Sequence, residues 1–308
     1  RSYAAFCAQA ARAVNARGVG PVRYFELPTA ATSTNDASAI AFYNRGRASI
    51  KAISSTYRVG GIGAASGRTA TLTALLSRAQ GLDFLSLQHY GATAGEPVGE
   101  ALFRRAADLA PLRGVATVLD RSRFRSAAIF LHSNLNSTRA EGGSLPADAR
   151  TVQMISSAWW VGFVGNQARL ADQIFHNDAA NPEWGLLDEN ARAYPAYYAL
   201  WMWNTFFPVG SERVQATASH SSVTVVAVNT PTAHNVLLAN TTSADLPVRV
   251  GIRGFPVLRA ARLRIFEDPQ QGVRFEDLPK SPFQNLVLKP YAVAVLQFIE
   301  PPKTAKKR

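Results

Sequence analysis

Cysteine is almost absent from this chain of 308 residues. Cys7 is the only one, so no internal disulfide can form, and cysteine usage gives no information on the compartment. Long apolar runs are also missing. The most apolar window, residues 158–165, is far shorter than the roughly 20 residues that a membrane-spanning helix needs. We therefore expect a globular protein rather than a disulfide-bonded scaffold or a membrane span.

Lysine is scarce. The chain has 27 Arg and 6 Lys, and three of the Lys lie in its last six residues. The net charge of +12 fits an anionic partner such as nucleic acid, a membrane surface or an acidic polysaccharide, but Arg spread over solvated faces is the more ordinary explanation. No compact basic block precedes residues 301–308, which we expect to be a disordered basic tail. Nucleic acid is therefore not excluded as a partner.

Motifs for cofactors and phosphates are missing too. The glycine-rich segment GGIGAASG (residues 60–67) lies on a predicted strand rather than between a strand and a helix, so it does not predict a phosphate-binding loop. There is no Cys/His metal spacing and no nucleophile elbow, and we expect no cofactor. The chain opens RSYAAFCA, without Met, as is typical of a processed chain.

Short apolar strands alternate with helices over the first two thirds of the sequence. The predicted strands are 22–27, 58–64, 82–89, 128–132 and 171–176. They lack inside/outside alternation, which is typical of a parallel sheet covered by helices. After Pro208 the runs become short, β-rich and separated by turns, which predicts an antiparallel β-sandwich. We therefore predict a first domain at 1–208, a sandwich at 209–300 and the tail at 301–308.

A family resemblance is carried by four segments in order. They read VRYFEL, YNRGRASIKAISSTYRVGGIGAASG, LDFLSLQHYGA and GLLDENARAYPAYYALWMWNTF. In order and spacing they resemble the clan A retaining glycoside hydrolases of the β-xylosidase, α-iduronidase and heparanase type. The resemblance implies an α/β fold, a (β/α)8 TIM barrel followed by an antiparallel β-sandwich, and a secreted or cell-surface location.

The resemblance also implies that the barrel is partial. The five predicted strands correspond to strands four to eight of the family, and a complete barrel takes about 250 residues. We expect a second polypeptide or a cleaved N-terminal segment to supply the first three strands, because open sheet edges invite pairing. The alternative is a divergent N-terminal segment outside this chain.

The family's two catalytic glutamates have no counterpart in this alignment. In the family, strand four ends in a motif resembling F-E-L-W-N-E-P; here Glu26 matches its first Glu and Ala30 its catalytic Glu. The nucleophile position falls on His132 or Ser133. A retaining glycosidase needs two carboxyl groups about 5–5.5 Å apart. The resemblance therefore implies that both catalytic carboxylates are missing, and we assign no catalytic residue.

Six residues are expected to contact a carbohydrate. They are Glu26, His89, Tyr90, His132, Asn134 and Trp184. The alternative for Glu26 is a structural residue at the strand tip, and the alternative for His89 is a core histidine. Trp184 follows the last barrel strand and is a candidate for stacking on a sugar.

Three histidines end successive predicted strands. His89, His132 and His176 would converge at the mouth of a closed barrel, as ligands do in three-histidine zinc sites. They have no local metal-ligand spacing, however, and we predict no metal site.

The sequence predicts a glycoside hydrolase-like pseudoenzyme. Its role would be that of a carbohydrate-binding or structural component of an assembly, with acidic polysaccharide among the candidate ligands. The alternative is an active retaining glycoside hydrolase whose carboxylates are relocated or supplied by another segment. Glu96, Glu100 and Glu141 lie near the expected mouth and are candidates for relocation.

Overall fold

The computed structural model describes residues 2–16, 22–27, 37–65, 69–92, 99–136, 139–140, 143–144, 148–253 and 259–300. Ala30, Glu96, Glu141 and the predicted tail 301–308 lie outside these ranges. The chain divides into two compact units. The first takes its residues from 1–89, 108–133 and 167–175, and the second from 90–107, 134–166 and 176–308. The domain boundaries at residues 208 and 300 remain predictions.

The helices are α1 (Tyr3–Ala16), α2 (Ala37–Lys51), α3 (Thr69–Arg78), α4 (Glu100–Ala107), α5 (Ala110–Asp120), α6 (Met154–Gln167) and α7 (Pro195–Phe206), with a 3-10 turn at Ala149–Val152. The strands are β1 (Tyr24–Leu27), β2 (Arg58–Ala65), β3 (Phe84–Ala92), β4 (Ala128–Asn136), β5 (Arg139–Ala140), β6 (Gly143–Ser144), β7 (Gln173–His176), β8 (Glu212–Val214), β9 (Val223–Asn229), β10 (Ala233–Asn240), β11 (Leu246–Gly251), β12 (Ala260–Asp268), β13 (Gly272–Leu278), β14 (Phe283–Leu288) and β15 (Val293–Ile299).

A half-barrel is formed by five strands of the described chain, in the order β1-β2-β3-β4-β7. β1 pairs with β2, and β2 with β3, in parallel. The spatial order follows the chain order, and helices connect successive strands, as in a (β/α) barrel. The predicted partial barrel is therefore confirmed, and each of the five strands lies where the sequence predicted it to within a few residues.

The two faces of the half-barrel carry different side chains, because side chains alternate along a strand. One face is aliphatic and buried, and includes Leu85, Leu87, Ile129 and Leu131. We call it the helix-facing side. The other, concave face carries four aromatic rings, one each from β1, β3, β4 and β7. This aromatic layer consists of Tyr24, Phe84, Phe130 and Phe175, and its ring centroids lie 4.4 to 6.0 Å apart between contacting pairs.

Strand β2 contributes glycine where its neighbours contribute rings. Gly60 pairs with Glu26 in the sheet, so no side chain stands beside that carboxylate on the concave face. Gly61 has φ +128°, and a Cβ there would lie 2.3 Å from the carbonyl oxygen of Leu27. Only glycine fits such a backbone. Gly60 and Gly61 are therefore required by the geometry of the sheet.

The sandwich lies in the second unit. Its larger sheet has the order β13-β12-β15-β10-β9-β8, and its smaller sheet is the antiparallel pair β11–β14. The core between them is aliphatic and aromatic, and includes Val236, Leu263, Ile265, Leu288, Leu296 and Phe298, with Val248, Val250 and Leu286 packed against it. The predicted antiparallel sandwich is confirmed.

The most apolar segment of the sequence is the buried helix α6. Trp159, Trp160 and Phe163 are all fully buried, and their rings contact one another. The Ser157 hydroxyl donates to the carbonyl of Tyr291, which precedes β15, at 3.1 Å. This helix is apolar all round because it is enclosed by protein. None of the helices in the described ranges is long and apolar enough to cross a membrane.

Candidate functional site

A polar layer follows the aromatic layer on the concave face of the half-barrel. Its members, Glu26, Ser86 and His132, each come two residues after an aromatic residue of the same strand: Tyr24, Phe84 and Phe130. A spacing of two keeps a side chain on the same face of a strand. The shift also moves it toward the carboxyl end, which is where barrel enzymes place their active sites. The half-barrel therefore brings three polar groups together on its concave face, one step nearer the carboxyl ends than the aromatic layer.

Glu26 and His132 are in direct contact. Glu26 Oε2 and His132 Nε2 lie 2.9 Å apart, within ion-pair distance, although the alignment is outside that of a straight hydrogen bond. The His132 ring also stacks on Phe175, with ring centroids 5.2 Å apart, which fixes its plane. Both side chains are partly open, with 41% of Glu26 and 29% of His132 exposed. A ligand on the concave face could therefore reach them.

The pKa of Glu26 lies below its usual value. Burial would by itself raise the pKa, but contacts from His132 and Ser86, together with the charge of His132, outweigh burial. Glu26 is therefore a carboxylate at neutral pH. It can accept hydrogen bonds and orient an imidazole, but it is poorly suited to donate a proton.

His89 and Ser133 lie on the helix-facing side of their strands. Each is an odd number of residues from the polar layer on its own strand, so its side chain points to the other face. The buried Ser133 hydroxyl donates to the main-chain carbonyl of His89 at 2.7 Å. Burial lowers the pKa of His89, against an opposing effect of Asp108. Of the two candidates for the nucleophile position, His132 is the one on the concave face.

A second polar group lies in the other compact unit, around the loop after β7. The Trp184 indole donates to the Asp178 carboxylate at 2.8 Å, and the Asn134 amide donates to the carbonyl of Trp184 at 3.0 Å. The amide of Asn177 donates to the hydroxyl of Tyr90 at 3.1 Å. Asn134 and Trp184 are thus joined by a hydrogen bond, and Tyr90 is bonded to Asn177, the chain neighbour of Asp178. Their assignment to carbohydrate binding remains a prediction.

His176 lies next to this group in the sequence, but its contacts are structural. Its ring packs against Trp160 of α6, with centroids 5.2 Å apart, and its Nδ1 lies 2.8 Å from the main-chain carbonyl of Asp178. Burial lowers the pKa of His176 to about 4, although its contacts with Asp178 act the other way. His176 is therefore neutral at neutral pH.

The three strand-end histidines are not brought together. His132 lies on the concave face, while His89 and His176 lie on the helix-facing side of their strands. Within the described ranges no group of three His, Cys, Asp or Glu side chains is close enough to hold a metal ion. Glu100, a candidate for a relocated carboxylate, opens helix α4, where an acid favours the helix dipole.

Sequence reasoning missed Ser86 and Asp178. Ser86 contacts Glu26 across the glycines of β2, and Asp178 holds the Trp184 indole. The signal for Ser86 was available: it lies two residues after Phe84, as Glu26 lies two after Tyr24. The signal for Asp178 was weaker, since an acid in a loop is usually solvated.

Nearly the whole chain superimposes on glycosidases of known structure. A monomeric β-xylosidase from Caulobacter crescentus aligns with a TM-score of 0.67 at 13% identity, over 96% of this chain and 74% of the xylosidase. The fold is that of the clan A glycoside hydrolases. A family 44 xyloglucanase from Paenibacillus polymyxa aligns with a TM-score of 0.71 at 10% identity, over 97% of this chain and 70% of that enzyme. A glucosidase from Croceicoccus marinus aligns with a TM-score of 0.67 at 12% identity, over 97% of this chain and 74% of the glucosidase.

Sequence comparison gives a narrower result. Residues 220–296, within the sandwich, match the family of the D-apionate lactonase C-terminal immunoglobulin-like domain. No curated protein matches the chain by sequence. The resemblance to clan A glycoside hydrolases predicted from the sequence is thus confirmed for the fold, whereas substrate, activity and location remain predictions.

Proposed function

We propose that this protein binds carbohydrate on a glycoside hydrolase fold and does not run the two-carboxylate reaction of retaining glycosidases. The observation that supports this is the 2.9 Å contact between Glu26 and His132. A retaining enzyme places a second carboxyl group about 5–5.5 Å from its acid/base and uses it as the nucleophile. Here an imidazole from β4 contacts the carboxylate from β1.

Two further carboxylates, next to described strands of the half-barrel, support the same proposal. Asp83 and Asp172 directly precede β3 and β7, at the amino ends of these strands, and each accepts a main-chain N–H at 2.8 Å. Each carboxylate is therefore occupied by a hydrogen bond within the sheet. Glu26 itself has a lowered pKa, which makes it a poor proton donor at neutral pH. Neither the donor nor the nucleophile of the retaining mechanism is provided by these three groups.

Sugar release and sugar binding test the proposal separately. We expect no release of reducing sugar from xylan, xyloglucan or polygalacturonate above that of a Glu26→Gln variant, and we expect retarded migration of the protein in gels containing at least one of these polysaccharides. Trp184→Ala should reduce that retardation, while His220→Gln, an exposed change in the sandwich, should not. Sugar release that Glu26→Gln abolishes would instead support the alternative, an active glycoside hydrolase with relocated or separately supplied carboxylates.

We further propose that a polypeptide segment, on the same precursor or on another chain, completes the barrel. The aromatic layer supports this, because Tyr24 is 57% and Phe175 is 39% exposed on the concave face. Rings inside a closed barrel are normally packed by facing strands. Purification of the native protein with identification of any bound polypeptide tests this. A bound segment with three β–α units is the expected result, and a stable monomer with protease-resistant β1 and β7 would contradict it.

Lactone hydrolysis is a second candidate function, and the match of residues 220–296 to a D-apionate lactonase domain favours it. An ester needs one general base rather than two carboxylates. With Glu26 orienting its Nε2 side, His132 could take a proton from water at Nδ1 as that water adds to the lactone carbonyl. The acyl C–O bond then breaks, and the proton passes from His132 to the departing alkoxide, which leaves an open hydroxy acid.

A pH-stat assay on sugar-acid lactones distinguishes this candidate from simple binding. Lactonase activity should fall at least a hundredfold in His132→Gln and substantially in Glu26→Gln, and should be unchanged in His220→Gln. Hydrolysis equal in wild type and His132→Gln would eliminate the lactonase role for this site. The carbohydrate-binding proposal would not be affected by that result, because it is tested by retardation in polysaccharide gels.

A further inference from the structure

The outer face of the small sheet of the sandwich carries arginine and an aromatic ring. In β11 and β14, alternate residues point away from the sandwich core, and the outward set is exposed: Pro247, Arg249, Gly251, Phe283, Asn285 and Val287. Arg253 follows β11 and is also exposed. This face contains two positive charges and no acid. Its inward neighbours Val248, Val250 and Leu286 pack on the core, which makes the face a rigid platform.

A cleft of about 220 Å³ opens on this platform, lined by Arg249, Gly251, Arg253 and Phe283. Pockets for drug-sized ligands are usually 300–1,000 Å³. The cleft is therefore the size for a single ring or a single charged group. Its lining residues all belong to the sandwich, and none of them is a member of the polar layer.

The arrangement of Phe283 and Arg249 is fixed by the backbone beneath them. Phe283 pairs with Gly251 across the sheet, and a Cβ on Gly251 would lie 2.8 Å from the ring. The ring therefore lies against bare backbone. The Arg249 guanidinium stacks over the same ring, with its Cζ 4.9 Å from the ring centroid. Stacking uses the face of the guanidinium and leaves its in-plane N–H donors available.

Neither arginine is neutralised. Within the described ranges, Arg249 and Arg253 have no ion pair with an acid, in contrast to Arg262 and Arg274 on the larger sheet, which pair with Asp277 and Glu267. Two guanidinium groups with unused donors at one small cleft favour a planar anion, since a carboxylate accepts paired N–H bonds from arginine.

We propose that this cleft binds the carboxylate of a uronic acid residue in an acidic polysaccharide. The two arginines would hold the carboxylate, and the exposed half of Phe283 would contact the apolar side of the sugar ring. The choice of a sugar as the carrier of the carboxylate rests on the proposed carbohydrate function, whereas the choice of an anion rests on the cleft alone. A site on the sandwich would attach the protein to an acidic polymer independently of the half-barrel.

Isothermal titration calorimetry of the full chain with trigalacturonate, at fixed ionic strength, tests the proposal. We expect Arg249→Gln and Arg253→Gln each to weaken binding about tenfold or more, since each change removes charged hydrogen-bond donors from the cleft. Phe283→Leu should weaken binding severalfold while keeping the site apolar. Arg262→Gln, which removes the same charge from the larger sheet, should change affinity less than twofold.

Several results would overturn the site. They are no binding of trigalacturonate, equal loss in Arg262→Gln and Arg249→Gln, or unchanged affinity for the methyl-esterified trimer. Equal affinity for short polyglutamate would overturn the sugar part of the proposal and leave a general carboxylate site. If Glu26→Gln or Trp184→Ala abolished binding while Arg249→Gln did not, the ligand would belong to the half-barrel site. Circular dichroism of each variant checks that these exposed changes leave the fold intact.

Discussion

The two edges of the half-barrel use polar side chains in opposite ways. At the amino ends, Asp83 and Asp172 accept the main-chain N–H groups of Val59 and Ile129, each at 2.8 Å, so each links its own strand to the preceding one. On the carboxyl side of the aromatic layer, the side chains of the polar layer contact one another. We expect the first arrangement to stabilise the sheet and the second to contribute little to its stability. This division matches barrel enzymes, where the amino-terminal face serves stability and the carboxyl-terminal face serves chemistry.

The largest effect is expected at the amino edge, in Asp83→Ala. Asp83 also forms an ion pair with Lys51 at 2.9 Å, and both side chains are mostly buried. The change leaves the Val59 N–H and the Lys51 ammonium without this partner, which should lower the free energy of unfolding by about 3 kcal/mol. Urea denaturation measures it. Asp83→Asn, which keeps an acceptor for the N–H, should cost less; an equal cost for both changes would show that the charge alone matters.

His176 sharpens the comparison, because it ends a strand yet is held by packing. Its pKa of about 4 lies below the ordinary value near 6.5, so the unfolded chain binds more protons than the folded chain between these values. The free energy of unfolding should therefore rise with pH from about 4 to 6.5, by roughly 2–3 kcal/mol from this group. His89, whose pKa is also lowered, adds in the same direction. His176→Asn should flatten the profile measured by urea denaturation, and an unchanged slope would contradict the assignment.

Asp172→Ala tests whether the two amino-edge aspartates are equivalent. Asp172 accepts the Ile129 N–H and, in the described part of the chain, forms no ion pair. Asp172→Ala should lower the free energy of unfolding by about 1–2 kcal/mol, which is less than the effect of Asp83→Ala. One hydrogen bond is lost, but no buried cation is left without its partner. A cost equal to that of Asp83→Ala would mean that the main-chain bond, rather than Lys51, carries most of the Asp83 effect.

Much of the fold could be predicted from the sequence, because it is encoded in local patterns. Buried strands such as that at Phe84–Ala92 are apolar runs between helices. The short β-rich runs after Pro208 predict the sandwich. The site could be predicted only in part. That Glu26 contacts His132 depends on the curvature of the sheet and on glycine at residues 60 and 61, which no single segment specifies. The three strand-end histidines, for which no metal site was predicted, do not share one face, because a strand end alone does not fix which face a side chain takes.

The smallest effect on stability is expected at the carboxyl edge, in Glu26→Gln. The pKa of Glu26 is lowered, so the carboxylate contributes stability above the ordinary pKa of a glutamate, and that contribution is lost as the pH falls through the lowered value. Because Glu26 is 41% exposed, solvent screening should keep the loss at pH 7 below about 1 kcal/mol. Denaturation at pH 7 and pH 3 checks this, and the difference between the two proteins should be smaller at the lower pH. If Glu26→Gln were as costly as Asp83→Ala, Glu26 would be a structural residue and the contrast between the two edges would disappear; a small cost combined with loss of sugar or lactone recognition would place its role in function.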